Sequence, residues 1–176
     1  MQTDNVFRHS GRFSVAGASM ATLIGCAIGA FLGALYGVVA YYSPFFLINI
    51  VVLVVIAIAT GVLLDKPVQN GHIRNSSVAG LIGLVAGTVS LGVHWIVWVR
   101  LSVEFWVLDF ATLMNTLQVI ALLGPWTVFD WTPTGGTLYF IWGIEALILA
   151  VIPMVAARNS VRDTPYCEQT GKWADV

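Results

Sequence analysis

The chain has 176 residues, of which 58% are hydrophobic and 10% are charged, whereas a soluble domain usually carries about 25% charged residues. No charged residue falls between Ser14 and Leu64, a stretch long enough to cross a bilayer twice at about 20 residues per crossing. These numbers exclude an ordinary soluble domain and predict an all-α integral membrane protein, with the lipid bilayer as its first partner. The net charge of −1 offers no basic surface for nucleic acid.

Four apolar runs are each long enough to form a transmembrane helix. They cover residues 14–40, 44–64, 78–99 and 137–157. We therefore predict a single membrane domain over residues 1–176, in which a bundle of four transmembrane helices lies between an N-terminal segment, 1–13, and a tail, 158–176. The first run exceeds the 7 to 15 apolar residues of a signal peptide, so we expect it to be a retained helix.

The positions of the basic residues favour four spans over five. With four spans, all but one of the eight Lys and Arg residues lie on the same side of the membrane, and only Arg100 lies opposite. A fifth span through residues 105–123 would divide the basic residues equally. Because Lys and Arg concentrate in cytoplasmic segments, we predict a multi-pass protein with both termini in the cytoplasm, in a bacterial inner membrane.

The segment 101–136 joins the third and fourth spans and is predicted to lie at the outer surface. At helical spacing its bulky apolar residues share one face, opposite Asp109, Thr112, Asn115 and Thr116. That apolar face consists of Trp106, Phe110, Leu113, Met114, Leu117 and Ala121. The pattern is typical of an amphipathic helix in the membrane interface, and a re-entrant loop is the alternative.

Small residues recur at every fourth position of the first helix and again in the third. We name them the glycine ridge: Gly17, Ala21, Gly25, Gly29, Gly33 and Gly37 in the first helix, with Gly83 and Gly87 in the third. Small residues allow the backbones of membrane helices to approach closely. The ridge therefore predicts a helix-packing interface, which could lie within the bundle, against another subunit or along a pore.

Three polar residues fall within the predicted spans. Asn49, His94 and Glu145 each lie about 8 to 12 Å below the predicted outer end of their helix, at 1.5 Å per residue, so they could meet as an intramembrane polar cluster. A carboxyl inside the bilayer is costly and is by default a functional candidate. Glu145 could instead be hydrogen-bonded to lock the bundle, or could contact a partner subunit.

Six tryptophans cluster towards the predicted outer side. They are Trp95, Trp98, Trp106, Trp126, Trp131 and Trp142. Such residues form the aromatic belts that anchor helices at the membrane interface. A pocket for a quinone, a lipid or a pigment, or a protein contact, are the alternatives.

No motif in the chain specifies an enzyme, and we assign no catalytic, cofactor-binding or metal-ligating residue. The tail pattern Cys-x-x-Thr-Gly-x-Trp, from Cys167 to Trp173, resembles half of a zinc ribbon with Thr170 in place of the second cysteine. Without a second Cys-x-x-Cys it cannot supply four zinc ligands. A cytoplasmic docking peptide or a plain tail are the remaining interpretations.

The sequence thus favours a small membrane protein of structural or accessory role. It would assemble through the glycine ridge with other membrane helices, either as a homo-oligomer or in a hetero-complex. The alternative is a small transporter or channel component that uses Asn49, His94 and Glu145. The state of Glu145, either sealed or reached by a cavity, should distinguish the two.

Overall fold

A computed structural model describes residues 10–43, 45–127, 130–167 and 172–173. The helices are α1 (Val15–Tyr42), α2 (Phe46–Leu63), α3 (Asp65–Asn70), α4 (Ser76–Val103), α5 (Phe110–Leu123) and α6 (Gly135–Asp163). Two short strands, β1 (Tyr166–Cys167) and β2 (Lys172–Trp173), pair antiparallel in the tail. Most of the predicted segment 1–13, part of the predicted tail and its Thr170 lie outside the described residues.

Four helices are long and apolar enough to cross a membrane: α1, α2 with its continuation through α3, α4 and α6. They pack together, so the predicted all-helical bundle with four candidate spans is confirmed. The outward surface of the bundle carries large apolar side chains, such as Leu47 and Phe31, which are 74% and 71% exposed. Lipid contact explains this exposure, because a soluble protein rarely exposes large continuous apolar patches.

Polar side chains at the helix starts explain where three of the helices begin. Ser14 accepts a hydrogen bond from the backbone N–H of Gly17, and Asn75 caps α4 by accepting from two backbone N–H groups. Asp109 caps α5 through the backbone N–H of Thr112 at 2.8 Å. Capping oxygens satisfy N–H groups that have no partner within the helix. Trp106 therefore precedes α5 and does not extend its apolar face as predicted.

Helix α4 packs against both α1 and α6, while α2 packs mainly against α6. The glycine ridge makes the α1 contact close. A methyl group added to Gly29 or Gly33 would collide with the backbone carbonyl of Ala86 or Ser90. Gly29 meets Ala86 and Gly33 meets Ser90. Residue numbers thus rise together along both helices, so α1 and α4 run parallel.

The contact between α4 and α6 is built in the same way. An added methyl on Gly83 or Gly87 would collide with the carbonyl oxygen of Pro153 or Leu149. Pro153 lies inside α6 and is buried. Since proline has no N–H to donate to the residue four positions earlier, it leaves the carbonyl of Leu149 without its usual helical partner. Residue numbers rise along α4 from Gly83 to Gly87 while their partners on α6 fall from Pro153 to Leu149, so α4 and α6 are antiparallel.

Both ends of the described chain lie at the same end of the bundle, which we name the termini end. The backbone N–H of Arg74, in the α3–α4 connection, donates to the carbonyl of Arg12 at 3.0 Å. The indole N–H of Trp173 donates to the carbonyl of Gln69 at 3.1 Å. The opposite end, which we name the loop end, holds the α1–α2 connection, α5 and the α5–α6 connection.

Helix α5 lies across the loop end, where it contacts α4 and α6. Three residues of its predicted apolar face, Leu113, Leu117 and Ala121, are buried, whereas Phe110 is 74% exposed. Helix α6 begins at Gly135 and continues to Asp163, beyond both bounds of the predicted span. The placement of α5 in the membrane interface stays a prediction.

Candidate functional site

A polar side-chain contact between two helices lies inside the bundle. His94 Nε2 of α4 is 3.1 Å from Glu145 Oε1 of α6, and the two side chains are only 3% and 12% exposed. A neutral histidine in this position donates its Nε2–H to the carboxylate and keeps Nδ1 as an acceptor. The structure thus brings together two of the three predicted polar residues.

Tyr36 of α1 completes this group. Its ring stacks on the His94 imidazole, with centroids 4.4 Å apart and planes inclined by 29°. Its side chain also lies close to the Glu145 carboxyl and is only 4% exposed. One side chain from each of three helices therefore meets at a single point, which we name the polar triad.

The glycine ridge positions Tyr36 in the triad. Gly33 faces the Ser90 backbone, and a Cβ on Gly37 would lie 2.9 Å from the His94 carbonyl oxygen. This close approach holds the last turns of α1 against α4, so the Tyr36 ring reaches the imidazole. Tyr36 was not among the predicted polar residues, although a tyrosine between the last two ridge glycines, inside an apolar span, was a signal that could have identified it.

A cavity of about 500 Å³ lies at the loop end and reaches the triad. Its walls come from the loop-end parts of α1, α2, α4 and α6, from the last turn of α5 and from residues 124–127. The polar residues that line it are Tyr36, Ser43, Asn49, His94, Ser102, Thr127 and Glu145. Glu145 is therefore not sealed inside the protein.

Several polar atoms at this end have no hydrogen-bond partner in the described part of the chain. They include Ser43 Oγ, Asn49 Oδ1 and His94 Nδ1, all three buried and all three on residues of the cavity wall. Asn49 thus shares the cavity with the triad. A buried polar atom without a partner costs about 1 to 3 kcal/mol, so these atoms add an energetic cost to the cavity wall.

The predicted tryptophan belt divides into two groups. Trp95, Trp98, Trp126 and Trp142 line the cavity, and the rings of Trp95 and Trp142 meet edge to face with centroids 4.8 Å apart. Trp106 and Trp131 do not line it and are 62% and 52% exposed. Their exposure agrees with anchoring in the interface, whereas the first four form a wall.

The charge of the cavity wall comes from one group. Glu145 is the only acidic residue among the described lining residues, and none of them is lysine or arginine. Arg100 lies on the same helix as His94, but its guanidinium stands 5.6 Å from the centre of the Trp106 ring and does not line the cavity. The described wall therefore holds one carboxyl group, paired with an imidazole, and no other strongly acidic or basic side chain.

Comparison with known proteins finds no matching family model, no matching curated protein and no matching solved structure.

Proposed function

We propose that this protein binds a small solute in the cavity at the loop end and acts as a small transporter or as the binding component of one. The observation that carries this proposal is the contact between the cavity and the His94–Glu145 pair. Ligand cavities typically measure about 300 to 1,000 Å³ and combine apolar walls with a few polar groups. A buried carboxyl that serves only to lock the bundle would have no need of such a cavity.

The orientation in the membrane follows from the charges. Arg12, Lys66, Arg74, Arg158 and Arg162 belong to segments at the termini end. Because basic residues concentrate on the cytoplasmic side, we propose that the termini face the cytoplasm. The cavity then opens towards the outer side of the membrane, where α5 would lie in the interface.

Cysteine labelling tests whether the cavity is reached by water, and from which side. In a variant with Cys26 and Cys167 replaced by serine, Asn49→Cys should react with a membrane-impermeant maleimide added outside intact spheroplasts. Val55→Cys is the matched control, because Val55 lies on the same helix and is 56% exposed on its lipid-facing surface. It should stay unlabelled, since a thiol in hydrocarbon does not ionise.

The possible results separate the parts of the proposal. Labelling of Asn49→Cys from outside supports both the cavity and the orientation. Labelling only in inverted vesicles would keep the cavity but reverse the orientation. If Asn49→Cys is as inert as Val55→Cys from both sides, water does not enter the cavity and the proposed function is wrong.

Association with other membrane helices, the role that the sequence first suggested, would have to use lipid-facing side chains. Helix α4 fills the part of the glycine ridge around Gly29 and Gly33. Gly29→Leu should therefore destabilise the single chain itself. Native mass in mild detergent reports association separately, because an oligomer built on another face would keep its mass in a variant that still folds.

A further inference from the structure

We infer that the solute is an organic cation with an ammonium group, held between the Glu145 carboxylate and the aromatic wall of the cavity. This inference rests on the proposed function and names its ligand class. Three features of the described residues support it: the sign of the charge, the kind of side chain around it and the volume available.

The sign of the charge points to a cation. Glu145 is the single acidic residue of the described wall, and no lysine or arginine lies there to neutralise it. A carboxylate inside a bilayer costs at least a few kcal/mol. His94 and Tyr36 lie beside it, but the described wall places no lysine or arginine against it. A bound cation would supply the missing positive charge, whereas an anion would be repelled.

The side chains above the triad favour an ammonium group over a metal ion. Six aromatic residues line the cavity in addition to Tyr36: Tyr41, Phe46, Trp95, Trp98, Trp126 and Trp142. The faces of such rings attract alkylated ammonium groups, and aromatic cages are the usual protein sites for quaternary ammonium ligands. A metal ion prefers oxygen, nitrogen or sulfur ligands, and the described residues contain no cluster of three or more that could hold one.

The volume agrees with an organic ligand. A cavity of about 500 Å³ is many times larger than a single water, whose share of liquid volume is about 30 Å³. A small inorganic cation would leave most of this space to water and would not contact the rings. An alkylated ammonium group can touch the carboxylate and several rings at once.

The experiment compares two probes of the same shape that differ in charge, choline and 3,3-dimethylbutan-1-ol. Each is titrated into the purified full chain in mild detergent, and binding is followed by tryptophan fluorescence, since four tryptophans line the cavity. We expect choline to bind at least about tenfold more tightly than the uncharged alcohol, because only choline makes the ionic and cation–π contacts. This comparison needs no variant and does not depend on how well a mutant folds.

Glu145→Gln then tests whether the Glu145 carboxylate is the group that recognises the positive charge of choline. It keeps the shape of the side chain, so choline should lose about tenfold or more in affinity while the alcohol binds as before. Trp106→Phe is the control, because Trp106 lies outside the cavity wall; it should leave both affinities unchanged.

The outcomes distinguish this inference from the proposed function. Equal binding of the two probes to the wild-type chain would overturn the cation inference and leave a cavity that selects solutes by shape. The cation inference is also overturned if Glu145→Gln lowers the affinity for both probes by the same factor. If neither probe binds, the cation inference fails, and labelling of Asn49→Cys decides separately whether the cavity still serves another solute.

Discussion

Gly33→Ala is the substitution that tests the close contact between α1 and α4 most directly. The added methyl carbon would overlap the carbonyl oxygen of Ser90 and lie 2.8 Å from both its Cα and its carbonyl carbon. Carbon atoms in ordinary contact are about 3.5 to 4.0 Å apart. All three neighbours are backbone atoms that cannot rotate away, so the two helices would have to separate locally by about 1 Å.

The cost of this separation can be estimated against a matched control. Overpacking a close interface typically costs about 1 to 3 kcal/mol, whereas alanine favours a helix over glycine by about 1 kcal/mol. Gly92→Ala, on α4, gains the same propensity without a clash, because nothing lies within 4 Å of its added methyl. The difference in unfolding free energy between the two variants should therefore be about 1 to 3 kcal/mol, with Gly33→Ala the less stable.

The assay is unfolding in mixed micelles of a mild detergent and sodium dodecyl sulfate, followed by tryptophan fluorescence. Gly33→Ala should unfold at a lower mole fraction of the denaturing detergent than the wild-type chain, and Gly92→Ala at an equal or higher one. Equal stability of the two variants would refute the reasoning, because it would mean that α1 and α4 do not approach as closely as their glycines allow.

Two further predictions concern polar groups. Replacing either His94 or Glu145 with alanine should lower the unfolding free energy by about 1 to 3 kcal/mol, because each change leaves the other residue without its partner. The double variant should lose less than the sum of the two single losses. If the two losses simply add, the two side chains do not interact. The backbone N–H and the hydroxyl of Thr112 donate to Asp109 and lower its pKa below the usual 3.8. The stability that the Asp109 cap gives α5 is therefore complete above pH 3.8 and is lost as the pH falls through the folded-state pKa. Hydrogen exchange at the Thr112 amide should accelerate over that acidic range. In Asp109→Asn this acceleration should disappear.

The glycine ridge shows how much of the fold a sequence pattern can predict. Small residues at every fourth position identify the face of α1 that packs closely, and this face is buried in the bundle from Ala21 to Gly37. The pattern cannot identify the neighbour, because any helix with small residues or accessible backbone satisfies it. Only the three-dimensional arrangement shows that α4 fills the ridge at Ala86 and Ser90.

The helix ends were harder to predict than the spans for a different physical reason. Hydropathy reports where the chain can lie in lipid, whereas a helix can continue in water for as long as its backbone hydrogen bonds and caps allow. Helix α6 therefore continues past residue 157 to Asp163. In the loop, the Asp109 cap makes α5 begin after Trp106, and the helical spacing alone contained no information about that start.

The site was predicted in part. Depth along the helices placed His94 and Glu145 at similar levels, and the structure joins them at 3.1 Å. Tyr36 was missed because it is apolar by most scales and its hydroxyl becomes important only beside the carboxyl. The cavity could not be predicted from periodicity, since it depends on where residues 124–127 lie against the helix ends, with the Trp126 and Phe46 ring centroids 5.3 Å apart.

The arrangement below the cavity separates binding from transport. The polar triad forms the cavity floor, and beneath it a cluster of buried side chains that includes Leu32, Leu53, Ile56 and Leu149 fills the bundle. A solute can therefore reach Glu145 from the loop end with these helices in place. Movement beyond it requires α1, α2 and α6, the helices that contribute this cluster, to separate from one another. Binding is thus expected of the conformation described, while the proposed transport requires a second conformation in which this cluster opens.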